Sequence, residues 1–249
     1  MDAFPGHGNH YGKTAGVKID FTFDLLTGSI VSHNLQAATE QDKSIGKEFF
    51  IEVLLGDLVL RDMGYFILNE FTEIEQRQAW WLNLLTLKTI LLSVNSCTLE
   101  KCLKSYCKDI IDRDVMVGKQ DKYRRLFAMR AAPEITAARR AERRKKARES
   151  GKQPCPKGLL HDGWHLMLTN LSKAHDDVSQ LVAIYSARWA VEIHFLAWKQ
   201  ALNIGKALNR KSNEHHLQAL VLVGMIAHQL GMRIAQRIVS TVIRERLSY

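Results

Sequence analysis

The sequence predicts a mixed α/β fold, and three stretches carry that prediction. Residues 18–24 alternate polar Lys18, Asp20, Thr22 and Asp24 with apolar Ile19, Phe21 and Phe23, the period of a strand with one buried face. Residues 58–62 read as a short buried strand that ends in the carboxylate of Asp62, after which Gly64 lets the backbone turn closely. In residues 185–199, Tyr185, Arg188, Glu192 and Lys199 recur at helical spacing and fall within an arc of about 60°. The rest of that helix carries Trp189, Val191, Ile193, Phe195, Leu196 and Trp198, and a helix apolar nearly all round belongs in a core. Charges on a buried helix have to be paired, bound to a metal or turned into a polar cleft. By spacing alone, a solvated Arg188–Glu192 pair worth about 0.3 kcal/mol explains the pattern equally well.

Taken in order, residues 5–12 read as loop, because Gly and Pro punctuate them densely. The strand at 18–24 is followed by a turn at Leu26-Thr27-Gly28 and a return strand over 29–35, which makes a hairpin. Residues 41–55 have helical spacing, with Gly56 where the helix would stop. A carboxylate at the carboxyl end of a strand, as Asp62 would be, points into the crevice where α/β sheets bind ligands. The competing reading is a solvated turn residue before a glycine. Strands are expected near 80–85 and 89–94, and a helix over 99–111. Residues 132–149 are rich in good helix formers, and Arg139, Arg140, Arg143, Arg144, Lys146 and Arg148 would cover much of that helix, which suits a phosphate backbone or simply a solvated face. Residues 150–163 read as a loop and 164–170 as a strand, with Asp176 or Ser179 capping the next helix. Residues 203–213 are polar loop, and 214–246 form one long amphipathic helix with a break near Gly231. His215 and His216 diverge by about 100° on it and make a poor metal pair.

The chain has 249 residues, enough for a full core, and a formal charge of +9. Residues 121–150 hold eleven Lys and Arg against four Asp and Glu, so most of the excess sits in one window. Clustered positive charge points to a polyanion, most simply DNA or RNA, with solubility as the plain alternative. Cys97, Cys102, Cys107 and Cys155 lack the paired spacing of zinc sites and read as reduced thiols of a cytosolic protein. The first residues lack the basic-then-apolar pattern of a secretory leader. The longest apolar run, 219–232, is interrupted by His228 and Gln229 and is shorter than the roughly 20 residues of a bilayer span, so no membrane span is expected.

The spacing Tyr185-x2-Arg188-x3-Glu192-x6-Lys199 resembles the Y-R-E-K signature of bacterial insertion-sequence transposases with a DDE active site. Residues 56–66, with Asp62, Gly64, Tyr65 and Phe66, are similar to the same family's motif around its second catalytic aspartate. Residues 4–8 and 16–28 resemble the strands that follow its first, and the three segments come in the family's order. The resemblance implies an RNase H-like core over 1–75 and 164–249, interrupted by a β-rich insertion at 76–163 that carries the basic helix. It implies that Asp62 and Glu192 are two of three carboxylates holding two Mg²⁺ ions, and that Tyr185, Arg188 and Lys199 contact DNA phosphates. The chemistry agrees, since hard oxygens hold such ions, Arg forks onto phosphate and Tyr donates a hydrogen bond.

The family's first aspartate, in an Asp-Ser-Thr or Asp-Gly-Thr context, has no counterpart in this sequence. Asp2, Asp20 and Asp24 lie nearby, but Asp24 matches an ordinary turn of the family. The expectation is therefore an amino-terminally truncated transposase, inactive by itself, which lacks its first strand and has exposed strand edges and marginal solubility. The alternative is a non-catalytic DNA-binding fragment that titrates element ends or pairs with a full-length transposase. The partners implied are double-stranded DNA and a second transposase chain, in the cytoplasm at the nucleoid.

Overall fold

The computed structural model describes residues 5–9, 12–15, 17–39, 50–85, 91–93, 98–117, 122–174, 177–202 and 214–247. The strands are β1 (Pro5–Asn9), β2 (Gly12–Ala15), β3 (Val17–Asp24), β4 (Ser29–Ala37), β5 (Leu58–Arg61), β6 (Trp80–Leu84), β7 (Leu91–Ser93), β8 (Ile110–Val117), β9 (Tyr123–Arg130) and β10 (Trp164–Thr169). The helices are α1 (Leu68–Gln76), α2 (Leu99–Ser105), α3 (Pro133–Glu149), α4 (Pro156–His161), α5 (Val178–Ala187), α6 (Trp189–Leu202) and α7 (Glu214–Leu247). The result is a mixed α/β fold in two compact units, one of residues 53–186 and the other of residues 1–52 with 187–249.

The first unit is built on a six-stranded mixed sheet in the order β5-β6-β10-β9-β8-β7, in which only β5 and β6 run parallel. Two parallel strands need a crossover, and α1 supplies it. Side chains alternate across the sheet, so β6 feeds two cores at once. Leu82 packs with Phe127, Met167, Leu171 and the α5 residues Val178, Leu181 and Tyr185. Trp81 faces the other way and stacks on Phe71 of α1, ring centroids 4.0 Å apart. On that face Glu75 of α1 accepts hydrogen bonds from Trp81 Nε1 at 3.0 Å and from the buried Arg124 Nε at 3.0 Å. α1 ends with Gln78 at φ 58°, and the Gln78 and Ala79 amides return to the carbonyls of Glu75 and Ile74. This is a Schellman closure with glutamine where glycine is usual.

In the second unit β3 and β4 form the expected hairpin as a separate two-stranded sheet. Its turn closes through Gly28 at φ 69°, a conformation that glycine adopts without strain. Val17, Ile19, Ile30 and Leu35 of the hairpin pack against Phe195 of α6 and Val221 and Met225 of α7. The other side of α7 carries exposed Val223, Ile226, Leu230, Ile234 and Ile238. Within α7, Gln218–Ala235 is long and apolar enough to cross a membrane by length and composition, although Val221 and Met225 on one side of it are buried in the protein.

Several expectations are corrected. Residues 5–9 and 12–15 pair as antiparallel strands, because a backbone ladder tolerates glycines that side-chain patterning reads as loop. The helix expected over 99–111 ends at Ser105, and Ile110 begins β8. The loop expected over 150–163 contains α4, started by Pro156 in the first turn, where its missing amide costs nothing. Of the helix expected over 41–55, residues 41–49 lie outside the described residues, Phe50–Glu52 is a single 3-10 turn and 53–55 are not helical. Residues 203–213 also lie outside the described residues. α7 runs through Gly231 without a break. The helix over 185–199 is two helices: α5 ends at Ala187 and α6 starts at Trp189. Its apolar circumference is not buried either, since Trp189, Ile193 and Leu196 are 58%, 56% and 57% exposed. Apolar periodicity runs on across Arg188, but α5 packs on the six-stranded sheet and α6 on the hairpin, so the chain breaks between them.

Candidate functional site

Asp62 follows the last residue of β5, a strand at the end of the sheet, and caps a one-turn 3-10 helix, Met63–Tyr65. Its carboxylate is exposed and accepts from the Met63 amide at 2.7 Å, while its carbonyl accepts from the Tyr65 amide at 3.0 Å. Of the two competing sequence readings, the turn residue is the one that these bonds describe. Asp62 is a turn cap, and it also ends a strand with lone pairs left over for a further ligand. The turn is held from beneath. The Arg61 guanidinium, 9% exposed, hydrogen-bonds the Glu70 carboxylate of α1 and lies over the Tyr65 ring, 4.7 Å from its centroid. Neither partner was foreseen, because nothing in the sequence ties Arg61 to Tyr65 four positions on or to Glu70 nine positions on.

Tyr185 is buried at 7% exposure, and its hydroxyl donates to the Arg61 carbonyl at 3.1 Å. The structure thus joins Tyr185 to the strand end that carries Asp62, across 124 residues of chain. α5 is set by its cap. The Asp177 carboxylate accepts from the Gln180 amide at 2.9 Å and the Gln180 side chain accepts from the Asp177 amide at 3.0 Å. That is a reciprocal capping box, at Asp177 rather than at Asp176 or Ser179. Asp176 lies outside the described residues.

Arg188 and Glu192 belong to the other unit. The guanidinium donates to Glu192 Oε1 at 2.9 Å, and the glutamate side chain is 44% exposed. A pair of this kind four residues apart contributes a few tenths of a kcal/mol and leaves the second carboxylate oxygen available. Lys199 lies on the same helix α6, and its side chain is outside the described residues. His194, two residues on from Glu192 and so nearly opposite it on α6, meets His228 of α7 with ring nitrogens 2.9 Å apart, and Phe23 covers it with centroids at 4.3 Å. Burial holds both imidazoles below their ordinary value, and the presence of His228 adds to the shift at His194. Asp24, the acid set aside as a turn residue, is one. It accepts from the Leu26 amide at 2.9 Å and from the Thr27 hydroxyl at 2.6 Å, and these bonds hold its carboxyl below the usual range.

The basic helix α3 puts three of its named arginines to structural use. Arg143 makes a two-pronged contact with Asp162, both at 2.7 Å, and that pairing raises its own pKa. Arg140 donates to the Leu159 carbonyl at 3.1 Å, and Arg139 to the Trp164 carbonyl at 3.3 Å. Arg144 is exposed.

Against known proteins, the family described as transposase DDE domain matches residues 2–230. The chain is 24% identical to the transposase for insertion sequence element IS231E of Bacillus thuringiensis subsp. finitimus, over 100% of this chain and 56% of that protein. It is 26% identical to the transposase for IS231B of Bacillus thuringiensis subsp. berliner, over 93% of this chain and 51% of the relative. The transposase for IS1151 of Clostridium perfringens is 24% identical over 82% of this chain and 47% of its own length. The chain spans about half the length of the curated relatives it matches. Because the match runs over nearly the whole chain, this chain belongs to the transposase DDE domain family.

Proposed function

We propose that this chain carries two of the three carboxylates of an RNase H-like DDE centre, Asp62 and Glu192, and acts in cleavage and strand transfer of DNA at insertion-sequence ends. One observation carries the reading: the family match covers both acids, and each keeps an exposed carboxylate at an element's end. Their donor chemistry fits a divalent ion, since both supply hard oxygens that are only partly used within the protein. Asp62 and Glu192 would hold Mg²⁺, which when bound neutralises charge that builds on the phosphoryl oxygens during in-line displacement. Arg188 and Lys199 would lie on phosphates beside the cut end, Arg188 exchanging its helix pair with Glu192 for a phosphate oxygen. Tyr185, with its hydroxyl on the Arg61 backbone, would hold the turn that aims Asp62. Residues 76–163 would form the β-rich insertion that separates the two acids in sequence.

No acid of this sequence stands in the context of the family's first aspartate, so the chain by itself is expected not to nick DNA carrying the element's ends in Mg²⁺. Convergence of the two acids is tested by replacing Mg²⁺ with Fe²⁺ and mapping oxidative cuts in the polypeptide. Cuts near both residue 62 and residue 192, lost together in Glu192→Gln, are the expected result. Cuts near 62 that persist unchanged in Glu192→Gln would overturn the shared site. The second reading, a fragment that titrates ends or pairs with a longer transposase, is favoured by the missing acid, and DNA binding without iron cuts at either residue would select it.

A further inference from the structure

Helix α3 is unusual in having no buried residue at all, although it is 17 residues long. A helix without an apolar face is seldom stable unless something else fastens it. Here guanidinium groups do. Arg139, Arg140 and Arg143 fall on one side and reach the Trp164 carbonyl, the Leu159 carbonyl and the Asp162 carboxylate, so α3 is pinned to α4 and to the start of β10. Asp162 is 6% exposed, and Arg143 is accommodated because residue 158 is glycine: a Cβ there would sit 2.7 Å from Arg143 Nη1.

Arg144, Lys145 and Arg148 then lie on the opposite flank, within an arc of about 100°. All three are exposed, and none makes an ion pair among the described residues. Arg144 and Arg148 are like charges four residues apart, which destabilises a helix until an anion sits between them. Exposed Ala137 and Ala141 occupy the same arc, so a bulky polyanion can approach the helix backbone. The carboxylate of Glu142 is taken up by Lys146 at 3.4 Å. Glu134, in the same arc, lies in the first turn, about 15 Å from Arg144 along the axis.

We infer that α3 is a preformed rail for the phosphate backbone of duplex DNA, with Arg144, Lys145 and Arg148 touching phosphates while Arg139, Arg140 and Arg143 position the helix. The inference rests on the DNA-directed reading above and reassigns three of the five arginines of this helix which the sequence offers for DNA contact. Rigidity is the purpose of the fastening, because groups already held in place lose less freedom on binding.

The test is binding of the full chain to a short DNA duplex across a range of salt. In the triple variant Arg144→Gln, Lys145→Gln, Arg148→Gln, the slope of log K against log salt should shrink by about 2.7, or about 0.9 for each phosphate no longer neutralised. Asp162→Asn adds one net positive charge and Arg143→Lys leaves the charge unchanged, yet both should weaken binding and flatten the slope, because each breaks the fork. An unchanged slope in the triple variant, or tighter binding by Asp162→Asn, would overturn the rail and leave the carboxylate site untouched. Tighter binding of duplex RNA than of DNA would overturn the choice of partner. A wild-type chain that binds no DNA at all would remove the DNA-directed reading along with the rail.

Discussion

At the scale of single residues, the most consequential contact is the hydrogen bond from the Tyr185 hydroxyl to the Arg61 carbonyl. A neutral bond of this kind contributes about 1 kcal/mol. Its position matters more than its size, because the next residue is Asp62. Tyr185→Phe keeps the packing of the ring against Leu82 and Met167 and removes only the hydroxyl. It is expected to cost about 1 kcal/mol in denaturant unfolding and to speed hydrogen exchange at the Met63 and Tyr65 amides, which close the Asp62 turn. Exchange unaltered at both amides would show that Tyr185 is a core residue and nothing more. The motif made Tyr185 stand out, but its hydroxyl partner was invisible in the sequence, since a backbone carbonyl carries no side-chain signal.

Among the elements, local rules served well where one face was buried and poorly where the chain had to turn. The alternation in β3 was legible because its apolar residues pack on α6 and α7, although every residue of the strand is only half-buried, and the apolar run of β5 because alternate residues are buried. The boundary at Arg188 was not, because α5 and α6 are each apolar and only their different packing partners separate them. α1 went unread for a related reason: it ends on Gln78 rather than on a glycine, so its stop signal is missing. A non-glycine residue in the left-handed region costs about 1 kcal/mol or more. Gln78→Gly should therefore raise stability by up to about 1 kcal/mol, read as a higher urea midpoint with unchanged slope. A lower midpoint would mean that the glutamine side chain contributes more than its backbone costs.

For the molecule as a whole, the histidines give stability a pH dependence of definite sign. Burial is the first cause of lowered values at His161, His165, His194 and His228, with Arg139 adding to it at His165 and Lys157 at His161. A histidine whose folded value is depressed binds fewer protons folded than unfolded, so its contribution is complete above about 6.5 and is lost as pH falls below that. The urea midpoint should accordingly be lower at pH 5.5 than at pH 8, and a midpoint that stayed level or rose would contradict this reading. Asp24 and Glu100, whose carboxyls are held low by hydrogen bonds from Thr27 and Lys157, lose their share only in a more acidic window, as pH falls below their ordinary values of 3.8 and 4.5. The α/β class, the hairpin, the basic helix and the resemblance to the transposase family were all legible before folding, because periodicity and spacing are local properties of a chain. The tertiary structure alone decided how the basic charges divide between fastening and display, which carbonyl Tyr185 holds, and that one run of helix is two. Each of those depends on groups far apart in sequence, such as Arg143 with Asp162 or His194 with His228, and a guanidinium or an imidazole takes its role from the partner that folding brings to it.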